Sequence, residues 1–419
     1  MNDFIRRLIS IILIIILLLI FSFFLNNIQN IDSFAYVVAI GLDKGTTSNL
    51  RLTVQTLSPT AGSSSSSGSS SGGGSSESNS SVITTSIECA SINSGLQLLN
   101  GYIGSKQLNL SHCQSLIFSE ELAYDGISEY IYTFINNVNL NNDSNIVISK
   151  CNAEYYLNNS ESVYEKLISK YYNVSPTSGK YTGFTADISL QDFFSNLTSN
   201  SIEPTAILSS INSPQTKLSD IYDDTYLRDS TFKAGQSPIN TENRGMEDVG
   251  LAVFKNGKLI GELTAIETIA YLMSTDQFQS CELTMENPIN GESTIDFGLS
   301  KQKSTKTNVK FVNGTPYITI EIYLDAKLLS SDQNNNYLGD VSLLEYTLNN
   351  YIENFLYEYL YKTTVEYNSD ISGFGKNAIS QFLLTEDWQN YNWNENYKNS
   401  FFNVKVNTLI NSSGLLVET

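Results

Sequence analysis

The sequence predicts an α/β and α+β protein in which a single N-terminal transmembrane helix is followed by about three domains, each a β-sheet packed with helices. Three observations carry this. Leu8–Leu25 is an uncharged apolar run long enough for a membrane span. Between Phe34 and Ser149, short β-branched runs alternate with segments of helical spacing. Further on, Asn-Gly twice separates two apolar runs, a strong short-range hairpin signal because both central residues must adopt positive φ.

The apolar run LISIILIIILLLIFSFFL is broken only by Ser10 and Ser22, and as a helix it reaches roughly 27 Å, enough to cross a hydrocarbon core. Arg6 and Arg7 stand directly before Leu8, whereas the first basic residue after Leu25 is Lys44. The positive-inside rule therefore places residues 1–7 in the cytoplasm, 8–25 in the membrane and the rest outside. A cleaved signal peptide would carry a shorter apolar region, about 7–15 residues, ending at small residues. Phe24-Leu25-Asn26-Asn27 offers no such site.

A formal net charge of -19 and a pI near 4.4 argue against nucleic acid as a partner and against adsorption on an anionic lipid surface. One candidate span excludes a channel or transporter formed by this chain alone. Cys89, Cys113, Cys151 and Cys281 show no C-x-x-C spacing, so neither a zinc site nor a redox pair is signalled, and each reads as a small buried hydrophobe.

The first domain is expected over 32–195. Phe34–Asp43 and Leu50–Thr56 read as a hairpin, Pro59–Ser81 as a disordered Ser/Gly insertion (59–81), and Val82–Ile87 as a third strand. Helical spacing over Ala90–Ile103 precedes a strand at Ser115–Ser119, a helix over Glu120–Asn137, a strand at Asn145–Ser149 and a tyrosine-rich helix over Asn152–Tyr172. From Val174 to Asn240 prolines break the pattern, leaving one helix near Leu190–Asn200. The middle domain, 196–300, holds the hairpin Val249–Phe254 and Lys258–Leu263, and Thr264 with Glu267 forms a capping box for a helix over Ala265–Met273. Strands follow at Cys281–Glu286 and Ser293–Phe297. The C-terminal α+β domain, 301–419, has a hairpin about Asn313-Gly314, a long amphipathic helix over Val341–Tyr361, a helix over Ala378–Leu384 and a last strand over Phe402–Ile410.

Catalysis requires converging groups, and the chain has one histidine. His112 adjoins Ser111 just before a strand, where neighbours point to opposite faces, so a Ser-His pair is poorly set and His112 reads as structural. The adjacent acids Glu120/Glu121, Asp223/Asp224 and Glu386/Asp387 do not face each other on a helix and read as solvated faces. Gly373-Phe-Gly-Lys376-Asn377 fails the phosphate-loop pattern, because Asp370 stands where the first glycine belongs and Asn377 where the hydroxyl residue belongs. A tight turn before a helix is the better reading. Trp388 and Trp393 read as core aromatics. No cofactor or metal is expected.

Ala39-Ile-Gly41-Leu-Asp43-Lys44, Leu52-Thr-Val-Gln55, the Ser/Gly insertion, Ser111-His112 and Glu120-Glu-Leu-Ala123 come first in order. Gly250-Leu-Ala-Val-Phe254, Lys258-Leu-Ile-Gly261, Glu267-Thr268, Asp370-Ile-Ser-Gly373-Phe-Gly375, Trp388 and Trp393 follow. Together they resemble the Ger(x)C family, the C subunits of the nutrient germinant receptors of endospore-forming bacteria. The resemblance runs from about Ile31 to the C-terminus. It implies a non-enzymatic, outward-facing subunit of the inner spore membrane. Its partners would be a multispanning A subunit and a transporter-like B subunit, with three α/β domains in series. Relatives usually carry a lipidated cysteine just after the apolar run. Asn26–Ser33 contains none, so a helical tether in place of a lipid is expected. Two readings from other classes compete: an extracytoplasmic wall hydrolase, which needs two carboxylates converging in a cleft, and a tethered ligand-binding or adhesion module, which needs a concave apolar pocket near Trp388 and Trp393.

Overall fold

In the computed structural model, the described residues are 2–26, 33–57, 82–160, 165, 167–212, 229–239, 245–288, 291, 293–330 and 341–411. The Ser/Gly insertion expected over 59–81 lies outside them, as do most of the spacer after the apolar run and the pair Asp223/Asp224. The apolar run forms part of a helix, Asn2–Asn26, whose described side chains, residues 4–9 and 11–18, are exposed. Among the described residues no helix is long and apolar enough to cross a membrane. The expected transmembrane span is therefore not part of the fold established here.

Among the described residues, thirteen strands form two sheets. The larger contains β1 (Phe34–Lys44), β2 (Leu50–Leu57), β3 (Val82–Cys89), β4 (Gln107–Asn109), β5 (Ser115–Ser119), β6 (Asn145–Ser149), β7 (Thr205–Asn212), β8 (Gly245–Lys255) and β9 (Lys258–Leu263). Its order is β3-β2-β1-β5-β6-β7-β8-β9, with β4 beside the start of β1. β1, β5, β6 and β7 run parallel, and antiparallel hairpins extend both flanks. The smaller sheet is β10 (Ser280–Glu286), β11 (Thr294–Val312), β12 (Thr315–Ser330) and β13 (Phe401–Ile410), in that order. Strands from 196–300 thus lie in both sheets.

Helices cover both faces of the larger sheet, as a sheet with parallel central strands requires. Ile92–Ile103, Ser128–Ile135 and Leu190–Leu197 bury Leu99, Ile131 and Phe193 with Ile40, Phe118 and Ile148 on one face. On the other, Ala153–Asn158 and Ala265–Ser274 bury Tyr156 and Ile269 with Val38, Ile117 and Ile207. A bulge between Val37 and Ala39 resets the alternation of β1. The core on this second face continues into the smaller sheet through Phe297, Ile320 and Val404, and into the helix Val341–Tyr361 through Leu348 and Ile352.

Most elements stand where hydrophobic periodicity puts them. Both Asn-Gly turns have positive φ at each residue, 51° at Asn256 and 74° at Gly257, 51° at Asn313 and 79° at Gly314. Thr264 and Glu267 close a capping box, as their spacing predicts.

Four elements depart from the expected pattern. The single helix expected over Glu120–Asn137 is two, Glu120–Asp125 and Ser128–Ile135, because Gly126 takes φ 118° and caps the first. The tyrosine-rich helix breaks into Ala153–Asn158 and Ile168–Val174. Thr205–Asn212, expected as connecting chain, is β7, buried along its whole length. Its serines find partners inside: Ser209 Oγ lies 2.8 Å from the Tyr156 hydroxyl and donates to the Glu247 carbonyl at 3.1 Å. The strand expected at Ser293–Phe297 and the first arm of the hairpin about Asn313-Gly314 are one, β11, whose polar middle is pinned to the end of Ala265–Ser274. There the Thr305 amide donates to Asp276 at 2.7 Å and Lys301 pairs with Asp276 at 2.8 Å.

The outer edge of β13 is covered without a further strand. Backbone N–H groups of Val404, Val406, Thr408 and Ile410 donate to Tyr357 Oη, Glu353 Oε1, Asn349 Oδ1 and Glu345 Oε1 at 2.9–3.0 Å. Residues four apart on a helix lie on one line, so the long helix presents a column of acceptors that takes the place of a partner strand. An open edge would otherwise invite pairing with another chain.

Candidate functional site

In an open α/β sheet, ligands usually bind beyond the carboxyl ends of the parallel strands, and here Asp43 and Lys150 stand at those ends. At the end of β1, Asp43 is buried and its carboxylate accepts from the Ala153 and Glu154 amides at 2.7 and 2.8 Å. It caps the helix Ala153–Asn158 from another element, in a position where an anion is favoured. Burial nevertheless raises its pKa, the two backbone donors working against the shift. Two residues earlier Gly41 lets that helix approach: a Cβ there would stand 2.8 Å from Leu157 Cδ1 and 3.1 Å from Ala153 Cβ. Gly41 and Asp43 are therefore one device that seats a helix on a strand.

Beside them, Lys150 follows β6 and donates to Glu120 at 2.8 Å and to Glu262 at 2.5 Å. Lys233 reaches the second oxygen of Glu262 at 3.3 Å. Burial works against charge on Glu262, but Lys150 and Lys233 outweigh it and lower its pKa; burial dominates at Glu120 and raises it. Gly261, next to Glu262, has room for no side chain, because a Cβ would stand 2.2 Å from the Tyr367 ring. The Tyr367 hydroxyl in turn donates to the Glu262 carbonyl at 3.1 Å. The strand-end groups thus satisfy one another and tie β6, β9 and the segment after the long helix together.

Glu267 has two duties. It completes the capping box of Ala265–Ser274, and both its oxygens accept from Lys362 at 2.8 Å. Lys362 opens a π-helical turn, Lys362–Glu366, that ends the long helix.

The second concentration of motif residues lies where the C-terminal segment meets the larger sheet. Asp370, 1% exposed, accepts from the Phe374 amide at 3.1 Å, the Gly375 amide at 2.8 Å and Trp393 Nε1 at 2.8 Å. Burial pushes its pKa up to about 6 against those three donors. Gly373 takes φ 73°, and a Cβ on Gly375 would stand 2.4 Å from the Ser201 carbonyl. In place of the helix expected over Ala378–Leu384, a short α-helix runs over Phe374–Ala378 with Asp370 at its start, and only a 3-10 turn, Ile379–Gln381, follows. The two tryptophans stack at 5.8 Å, and Trp388 Nε1 donates to Asn200 at 3.2 Å. Asn394 donates to Glu203 at 3.2 Å, the Glu203 amide donates to the Asp370 carbonyl at 2.9 Å, and Ser369 Oγ donates to the Phe254 carbonyl at 2.8 Å. Asp370-Ile-Ser-Gly-Phe-Gly375 with Trp388 and Trp393 is a seam joining β7 and β8 to the last third of the chain.

The remaining motif residues are dispersed. Phe254 is fully buried and meets Phe193 edge-on at 5.1 Å. Gly250 has φ 89° and lies under the Leu263 carbonyl. His112 is exposed and meets Tyr36 edge-on at 4.8 Å. Arg6, Arg7 and Leu8 are exposed on the N-terminal helix, and the Leu25 side chain lies outside the described set. Glu386 and Asp387 are exposed. A polar cavity of about 430 Å³ includes Ile371, Ser372 and Lys376 in its wall, but neither tryptophan. Among the described residues no group of three or more His, Cys, Asp or Glu could hold a metal ion. Lys150, Glu262, Tyr367 and Asn200 were not singled out by sequence reasoning. Nothing in the strand pattern marks Glu262 for burial, because with period two it shares a face with Lys258 and Ile260, opposite Leu259 and Leu263.

These buried acids, lysines and tryptophans are joints between elements: they seat helices on strands and tie the C-terminal segment to the larger sheet. Residues 27–211 match the spore germination protein N-terminal domain, and residues 249–414 match the spore germination B3/GerAC-like C-terminal domain. The chain belongs to the Ger(x)C family of spore germination proteins, whose members are germinant receptor C subunits and not enzymes. The fold is similar to that in a crystal structure of the GerBC protein, with a TM-score of 0.51 at 16% identity over 88% of this chain and 96% of that one. No curated protein matches the chain.

Proposed function

We propose that this protein is the membrane-tethered C subunit of a nutrient germinant receptor, and that it acts by assembling with, or coupling allosterically to, the A and B subunits. The observation that carries the reading is that both family domains occur in order along one chain, over 27–211 and 249–414. The tether is the apolar run Leu8–Leu25 behind Arg6 and Arg7, with the domains extracytoplasmic at the inner spore membrane. Capture of the tagged full chain from spore membranes tests the partners. An A- and a B-type subunit should be recovered and a deletion strain should germinate poorly on nutrient; recovery of neither, with normal germination, sinks the reading. The mature N-terminus tests the tether. A chain beginning after Leu25 would remove it.

A further inference from the structure

We propose that the cleft between the helix Ile92–Ile103 and the start of β1 binds an anionic amphiphile with one unbranched acyl chain. The cleft holds about 350 Å³, and Phe34, Val54, Ile83, Leu99 and Ile103 line it with Lys106. At roughly 30 Å³ for a water-sized group, that is space for about a dozen methylenes. Val54 and Leu99 form a buried floor, whereas Ile83 and Tyr102 at the mouth are 51% and 78% exposed. No lining residue is acidic. Half-buried Lys106 has no hydrogen-bond or ion-pair partner among the described residues, in a chain of net charge -19.

An apolar trough ending at one unpaired cation matches a hydrocarbon tail ending in a carboxylate or phosphate. Pro59–Ser81 offers no large apolar side chain to such a trough. The source of such a ligand is close, because Phe34 stands eight residues after Asn26, at the end of the apolar helix. The inference uses only the tether from the preceding reading; failure to capture A and B subunits would leave the labelling below unchanged.

The test uses the full chain in phosphatidylcholine nanodiscs. A dodecanoic acid with a terminal diazirine, and the matching dodecanol, are photolysed and adducts are mapped by peptide mass spectrometry. The acid should concentrate on peptides containing Ile83 and Leu99–Lys106. Lys106→Gln should lower acid labelling about tenfold and leave alcohol labelling unchanged, while Thr85→Trp, which fills the cleft, should abolish both with an unaltered circular dichroism spectrum. Labelling without preference for these peptides, or indifferent to Lys106→Gln, overturns the proposal. So does labelling that begins only in the Ile28→Ser/Ile31→Ser variant, because the chain itself would then be the occupant. A diazirine lysophosphatidylglycerol, anionic and with a single acyl chain, built into the disc separates the sources: adducts at the cleft assign it to membrane lysolipid, and adducts from the free acid alone assign it to free fatty acid, each upholding the site.

Discussion

Asp370 and Asp43 are buried acids that hold backbone amides, and they differ in how far burial moves them. At about 6, Asp370 in the folded chain keeps a proton that the unfolded chain has released by its ordinary value of 3.8. Because the folded state binds more protons in that window, this group's contribution to stability is greatest below pH 4 and is lost as pH rises through 6. Urea midpoints measured from pH 4 to 7 should show this decline, and Asp370→Asn should flatten it; an unchanged slope in the variant would assign the titration elsewhere. For Asp43 the test is connectivity. Asp43→Ala leaves the Ala153 and Glu154 amides without their acceptor, and loss of a cap of this kind costs about 1–2 kcal/mol. Chemical denaturation should report that loss, and Asp43→Asn should restore part of it, since an amide oxygen still accepts one bond.

At the level of elements, the acceptor column on Val341–Tyr361 makes β13 a finished edge. Replacing Asn349 and Glu353 together by alanine removes the acceptors of Val406 and Thr408 and exposes them to pairing. Each lost bond is worth about 0.5–1.5 kcal/mol, so the double variant should unfold at lower urea and also self-associate in sedimentation runs. The same double change to glutamine at both positions should keep the column and stay monodisperse. This helix also shows what was legible in the sequence. Its buried stripe, Leu344, Leu348, Ile352, Phe355 and Tyr359, follows from period alone. The adjacent column was hidden, because polar residues at helical spacing look the same whether they face water or a strand edge. β7 was hidden for the converse reason: prolines break the pattern around it, and its Ser209 becomes acceptable inside a sheet only through Tyr156 and Glu247, distant in sequence. The seam was half legible. Asp370, Gly373 and Gly375 could be read as a turn before a helix, but their partners Glu203 and Ser201, and the Asn200 that holds Trp388, lie in a stretch whose pattern is broken by prolines.

Across the whole molecule, the two sheets share one apolar core, in which Ile207 and Leu251 of the larger belong with Phe297 and Ile320 of the smaller and with Leu348 between. The seam adds polar ties over the same boundary, including Lys255 with Glu395 at 3.8 Å. A chain of this length ordinarily unfolds in stages, yet neither sheet can shed the other without exposing that core to water, which costs roughly 25 cal/mol for each Å² of apolar surface. Urea unfolding should therefore give coincident transitions by tryptophan fluorescence, which reports the seam through Trp388 and Trp393, and by far-UV circular dichroism, which reports both sheets. Asp370→Ala strands three buried donors and should lower both midpoints together. A fluorescence transition that precedes the dichroism change, or a variant that moves one signal alone, would mean that the sheets unfold separately. Coincidence would mean that the two sheets form one cooperative unit, a property that the proposed coupling role would use.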